Sequence, residues 1–388
     1  MMDHVLSSVL LKIQINLVFI NTPSPLFKHA VVKWPVQLER HWNLCFGNSY
    51  TDTGNYQILA ARAGLLNSSV EFPPYPYGIT FFGQPAGRFC DGRLIIDFIA
   101  KEYRLPFIQP SKAQNASFIQ GANFAVAAAP AFPVEFFEKN GFVNNQLLRS
   151  SLNYQLEWFE DQKSSLCNTT AECIQYFRKT LFIFGEFGVN DYTLLLLAGK
   201  SVQEVTNSYA PQVVKLISAA VEKVINDGAS ILAVAGQPPA GCVPVILTLY
   251  PSSNKENYEP DTGCLKEYNR LAMYHNSLLH QDVIRLREKY PQVKISYTDY
   301  YNPIINAVKS PSLYGFINTP LQVCCGKDGP YNFNISENCG MPGVSACPNP
   351  SAYLHWDGPH LTEAANRYIS STWLDGPYAD PPLKTLHN

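Results

Sequence analysis

Charge is scarce in this 388-residue chain: Lys, Arg, Asp and Glu make up 15% of it, and 29 basic residues nearly balance 31 acidic ones. With no dense basic tract, the electrostatic footprint of a nucleic-acid binder is missing. Long apolar runs are missing too. Nothing approaches the roughly 20 residues that span a bilayer, which argues against an integral membrane protein. Ten cysteines are present, but none shows the paired CxxC and HxxxH spacing of a zinc site. No internal repeat and no low-complexity linker interrupts the sequence. A single elaborated domain is therefore expected over 42–376, between an N-terminal segment (1–41) and a C-terminal tail (377–388). The 46% hydrophobic content, with 22 Tyr and 22 Phe, is enough for a substantial core and for apolar pockets.

Other features concern the compartment. The stretch "HVLSSVLLKIQINLVFI" has the apolarity of a signal segment, but Lys12, Gln14 and Asn16 interrupt it. The cysteines fall into local groups, Cys167/Cys173, Cys242/Cys264 and Cys324/Cys325/Cys339/Cys347, with Cys45 and Cys90 left over. Such spacing closes short loops. Asn67, Asn115, Asn168 and Asn334 begin N-x-S/T triplets, and Asn168 lies in the loop that Cys167 and Cys173 would close. Together these favour the secretory pathway, whether extracellular, cell wall or vacuole. The competing reading is a reduced intracellular enzyme with buried thiols.

Short apolar runs predict buried strands at 43–46 ("NLCF"), 180–184 ("TLFIF"), 231–235 ("ILAVA") and 294–299 ("KISYTD"). Helical spacing appears between them, in "GRLIIDFIAKEY", in "PQVVKLISAAVEKVINDG" and from Leu265 to Tyr290. Strands alternating with helices imply right-handed crossovers, a mainly parallel sheet and helices on both faces, an α/β/α sandwich. Functional sites in such folds lie at the carboxyl ends of strands.

Ester chemistry requires a nucleophile, a base oriented by a carboxylate, and donors aimed at an oxyanion. Ser49 follows a strand and a glycine in "CFGNSYTDTGNY", where a turn can expose its hydroxyl; an ordinary turn or N-cap serine has the same signature. In "HWDGPHLTEAANRYIS", Asp357 and His360 stand three residues apart across a Gly-Pro turn, so the carboxylate can bond Nδ1 and leave Nε2 free for a serine proton. His355 is the rival base, without a carboxylate at comparable spacing. "GEFGVNDYT" follows a strand; Asn190 can donate its amide to an oxyanion, and Asp191 can hold the loop. The small-residue run "GANFAVAAAPA" permits close backbone approach.

The ordered set "GNSYTDTGN", "GANFAVAAA", "GEFGVND" and "WDGPHLTEAA" resembles the sequence blocks of the plant GDSL esterase/lipase family of the SGNH hydrolase superfamily, from about Trp42 to Trp373. The resemblance implies a flavodoxin-like three-layer fold. It also implies Ser49 as nucleophile, His360 as general base and Asp357 as orienting acid. The oxyanion hole is then the Ser49 N–H, the Asn190 amide and the N–H five residues after Asn123, which is Ala128. Two departures stand out: the family has Gly where this chain has Ala128, and Asp where it has Asn48. Asn48 is nearly isosteric with Asp and can preserve the turn. No metal or organic cofactor is implied. The expected activity is a carboxylic-ester hydrolase working through an acyl-serine on a small-molecule or lipid ester. An acyltransferase using the same acyl-Ser49 is the alternative, and a silent binding protein on the same scaffold is the other, motivated by Asn48 and Ala128.

Overall fold

A computed structural model describes residues 42–67, 71–143 and 147–386, so the stretch read as a signal segment lies outside the described residues. Five strands form the parallel part of the main sheet: β1 (Trp42–Phe46), β2 (Gly121–Asn123), β3 (Thr180–Phe184), β4 (Ile231–Ala235) and β5 (Lys294–Thr298). A separate antiparallel pair joins β6 (Cys325–Gly326) to β7 (Ser345–Ala346). The last strand, β8 (Ala379–Asp380), runs antiparallel along β5. The main sheet has the order β2-β1-β3-β4-β5-β8. Its parallel part is the flavodoxin-like order, with a topological switch point between β1 and β3.

Alternate residues of each strand serve two cores, which explains the continuous apolar runs in the sequence. Phe46, Phe182, Phe184, Leu232 and Val234 face one, which is completed by the helices Leu152–Leu166, Ala210–Asn226 and Lys266–Lys289. Cys45, Leu181, Ile183, Ala233 and Ala235 face the other, under Ile95–Glu102, Tyr301–Lys309 and Glu363–Asp375. Phe46 stacks on both Phe124 and Phe184, with ring centroids 5.2 and 5.0 Å apart, and so anchors the strand that leads to Ser49.

The strands read from apolar runs correspond to β1, β3, β4 and β5, and the three helical stretches are helices. Residues 377–386, set apart above as a tail, belong to the packed domain instead. They supply β8 and bury Leu383 and Leu386, two isolated leucines too widely spaced to register as an apolar run. Cysteines bond within their groups, as Cys167–Cys173, Cys242–Cys264, Cys324–Cys347 and Cys325–Cys339. Cys45 and Cys90 are free and buried. Among the described residues no helix is long and apolar enough to cross a membrane.

Candidate active site

The chain leaves β1 through Gly47, whose φ of 154° and close approach to Gly185 and Thr51 leave little room for a side chain. Gln155, fully buried, brackets that glycine: its Oε1 accepts from Gly47 N–H at 2.9 Å and its Nε2 donates to Gly47 C=O at 2.8 Å. A tight turn follows, in which Asn48 C=O accepts from the N–H groups of Thr51 and Asp52, and Ser49 sits within it. Asp52 is buried and accepts four backbone N–H bonds, from Gly54, Asn55 and Tyr56 at a helix start and from Ala127. This carboxylate therefore joins the Ser49 turn to the loop carrying Ala128. Ala128 has φ 63°, the left-handed region that favours glycine, so the Gly-to-Ala departure falls where the backbone is least tolerant of a Cβ.

Beyond β3, Asn190 and Asp191 open the helix Val189–Leu197. Both reach toward the same loop. Asp191 accepts from Ala131 and Phe132 N–H at 2.8 Å each, and Asn190 Nδ2 donates to Ala129 C=O at 3.1 Å. The Asn190 amide keeps a second N–H for another acceptor.

The turn Trp356–His360 is closed by Trp356 N–H donating to His360 C=O at 2.8 Å. Within it, His360 Nδ1 lies 2.9 and 2.8 Å from the two Asp357 oxygens, and His360 N–H donates to Oδ1 at 2.7 Å. Tyr77 adds a hydroxyl donor to Asp357 Oδ2 at 2.6 Å. Burial opposes ionisation of Asp357, but the His360 charge and these hydrogen bonds outweigh it and hold the carboxyl below its usual range. The next contact joins this turn to the first: Tyr50 OH donates to Pro359 C=O at 2.9 Å, and the Tyr50 and His360 rings lie 6.1 Å apart. His355, the rival base, is buried with both ring nitrogens lacking a hydrogen-bond partner, and burial pushes its pKa down to about 4.

Ser49, Asn48, Tyr50, Asn190 and Pro359 line one cavity of about 250 Å³. Sequence reasoning missed Tyr77, Gln155 and Glu186, whose bonds to Asp357, Gly47 and Asn48 each span more than 100 residues and leave no local spacing signal. Glu186 is the most consequential. It is fully buried; its Oε2 accepts from Asn48 Nδ2 at 2.5 Å and its Oε1 from Val189 N–H at 2.9 Å. It thus spans the Ser49 turn and the Asn190 turn. Asn48 Oδ1 meanwhile accepts from Tyr50 N–H at 3.0 Å, so both ends of the amide are used. Asp at position 48 would keep the second bond but replace the donor to Glu186 with an acceptor.

With this geometry in view, comparison with known proteins is specific. Residues 44–373 match the family of GDSL-like lipases/acylhydrolases. A GDSL esterase/lipase of Arabidopsis thaliana is 41% identical over 370 residues, 95% of this chain and 89% of that protein. A second from the same plant is 44% identical, covering 88% of this chain and 83% of its own length. Sinapine esterase of Brassica napus is 42% identical over 87% of this chain and 86% of its own. The chain belongs to the GDSL esterase/lipase family and is a serine hydrolase acting on acyl esters.

Two stability predictions come from these contacts. Burial pushes the Glu186 carboxyl up to about 8, against the pull of the bonds from Val189 and Asn48. The folded state therefore holds a proton that the unfolded chain releases near the ordinary glutamate pKa. Its contribution is complete below that pKa and is lost as pH rises through about 8. Glu186→Gln should flatten the decline of unfolding free energy across pH 5–8 by up to about 1.4 kcal/mol per pH unit, read from denaturant titrations. Parallel curves for the two proteins would count against it. Ala128→Gly should stabilise the fold by about 0.5–1 kcal/mol through relief of the left-handed alanine, measured by urea unfolding.

Proposed function

We propose that Ser49 is the nucleophile, His360 the general base and Asp357 the residue that orients it. What carries this reading is the Asp357–His360 contact at Nδ1, in a turn that the Tyr50 hydroxyl joins to the residue following Ser49. With Nδ1–H given to the carboxylate, Nε2 is the nitrogen left to take the serine proton. Attack on the ester carbonyl forms the Ser49–carbon bond, and the carbonyl electrons move to oxygen. The Ser49 and Ala128 N–H groups and the spare N–H of Asn190 are the donors assigned to that oxyanion. Collapse expels the alcohol, which takes the proton from His360, and leaves acyl-Ser49. Water, deprotonated by His360, then attacks the acyl carbon and releases the acid and Ser49.

Asn48 and Asp191 act as positioning residues in this scheme. Asn48 holds the nucleophile turn against Glu186, and Asp191 holds the loop of Ala128 through two N–H bonds. The substrate is a small-molecule or lipid ester; the similarity to sinapine esterase supports a small-molecule ester. Four disulfides support folding in an oxidising compartment of the secretory route. Asn67, Asn115 and Asn168 are exposed, as glycan acceptors must be, and Asn334 is half-buried.

Ser49→Ala should abolish ester hydrolysis, whereas Asn190→Ala should lower kcat roughly 100- to 1,000-fold while the protein stays folded. Steady-state kinetics with circular dichroism as the folding control checks both. An unchanged kcat in Asn190→Ala would remove that amide from the oxyanion hole.

A further inference from the structure

Prolines punctuate the segment "EFPPYPYG" (71–78), which folds into turns that end on Tyr77 and Gly78. Tyr77 N–H donates to Pro74 C=O at 3.0 Å, and Gly78 N–H donates to Cys90 C=O at 2.9 Å. Gly78 has φ 80°, and a Cβ there would collide with the Gln84 carbonyl oxygen, so the chain passes this point only as glycine. The Tyr77 ring is buried edge-on against Trp356 and Phe89, with centroids 5.8 and 6.3 Å away. Trp356 directly precedes Asp357, so this packing sets the ring against the turn that carries Asp357 and His360.

Each oxygen of the Asp357 carboxylate takes one donor besides the imidazole. Oδ1 accepts from His360 N–H at 2.7 Å, and Oδ2 accepts from Tyr77 OH at 2.6 Å. His360 Nδ1 then lies almost evenly between the two oxygens, at 2.9 and 2.8 Å. Burial and the Asp357 charge push the Tyr77 pKa well up, so the hydroxyl keeps its proton and is the donor in this pair. Without that hydroxyl, the His360 N–H at Oδ1 would be the one bond from outside the imidazole that resists rotation of the carboxylate about Cβ–Cγ. Oδ2 would then be a buried, charged acceptor short of a donor, which is costly.

We infer that Tyr77 is a positioning residue for the hydrolytic reaction: its hydroxyl pins Oδ2 of Asp357 and, through that carboxylate, fixes the plane of the His360 imidazole so that Nε2 is aimed at Ser49. This deepens the assignment of Ser49, His360 and Asp357 and rests on it. Errors of aim are expensive, since a misplacement of about 1 Å at a reacting group can cost roughly 100-fold in rate. Tyr77 does not line the cavity beside Ser49, so loss of its hydroxyl leaves the seat of the substrate unchanged and acts on kcat.

The test uses the purified full chain and Tyr77→Phe, which keeps the ring and loses only the hydroxyl, with circular dichroism as the folding control. In steady-state hydrolysis of phenyl acetate, kcat should fall about 10- to 100-fold while KM stays within about twofold. Labelling of Ser49 by a fluorophosphonate, which needs no turnover, should slow by a similar factor. In an Asp357→Ala background the same Tyr77→Phe change should alter either rate by less than about twofold, because the hydroxyl has nothing left to act through. A loss of less than about threefold in Tyr77→Phe, a loss confined to KM, or an equal loss in both backgrounds would overturn the inference. Tyr77→Phe alone decides where Asp357→Ala fails to fold. Asp357→Ala separates the two levels. If it cripples the enzyme and Tyr77→Phe does not, only the role of Tyr77 falls. If Asp357→Ala leaves kcat unchanged, the assignment of Asp357 falls and takes this inference with it.

Discussion

The Asn48 amide and the Glu186 carboxylate meet where β1 and β3 end side by side, at the switch point of the sheet, and the placement of Ser49 relative to Asn190 depends on that contact. Glu186 holds one turn through Asn48 and the other through Val189 N–H. A buried carboxyl with an amide donor at one oxygen and a backbone N–H at the other has both oxygens bonded, whereas an acid at position 48 would put an acceptor where that donor stands unless the two acids shared a proton. Asn48 is therefore compatible with the local structure: it retains the acceptor that Tyr50 N–H needs and adds a donor where Glu186 needs one.

A second support lies on the far side of the site. Cys324 and Cys325 donate their N–H groups to the carbonyls of His355 and Trp356 at 3.0 and 2.6 Å, which fixes the backbone just before Asp357. The disulfides Cys324–Cys347 and Cys325–Cys339 pack with Tyr77 and Trp356 in a small core of their own. The same core presents the Tyr77 hydroxyl to Asp357. The bridges near the C-terminal end thus brace the turn that carries Asp357 and His360, and Gly358 C=O is further tied to Val245 N–H.

Much of this was legible in the sequence, for identifiable reasons. Strands buried on both faces write continuous apolar runs, so β1, β3, β4 and β5 could be read directly. Strand β2 is three residues long and small in side chain, and β8 is two residues long, so neither has a pattern to read. Asp357 and His360 are local partners, and their spacing reveals them. Glu186, Gln155 and Tyr77 act on residues distant in sequence, and only the folded chain shows what each one touches. The departure at Ala128 was visible as a letter, but its consequence depended on a φ of 63°.

The central claim is that Ser49 is made nucleophilic by His360 held on Asp357. Its most direct measurement is labelling of the folded protein by a fluorophosphonate, with the adduct located by peptide mass spectrometry in the wild-type protein and in His360→Ala. The account predicts one adduct, on Ser49, formed at least 100-fold more slowly in the variant, as expected when a positioned general base is lost. An adduct on another residue, or equal labelling rates in the two proteins, would contradict it.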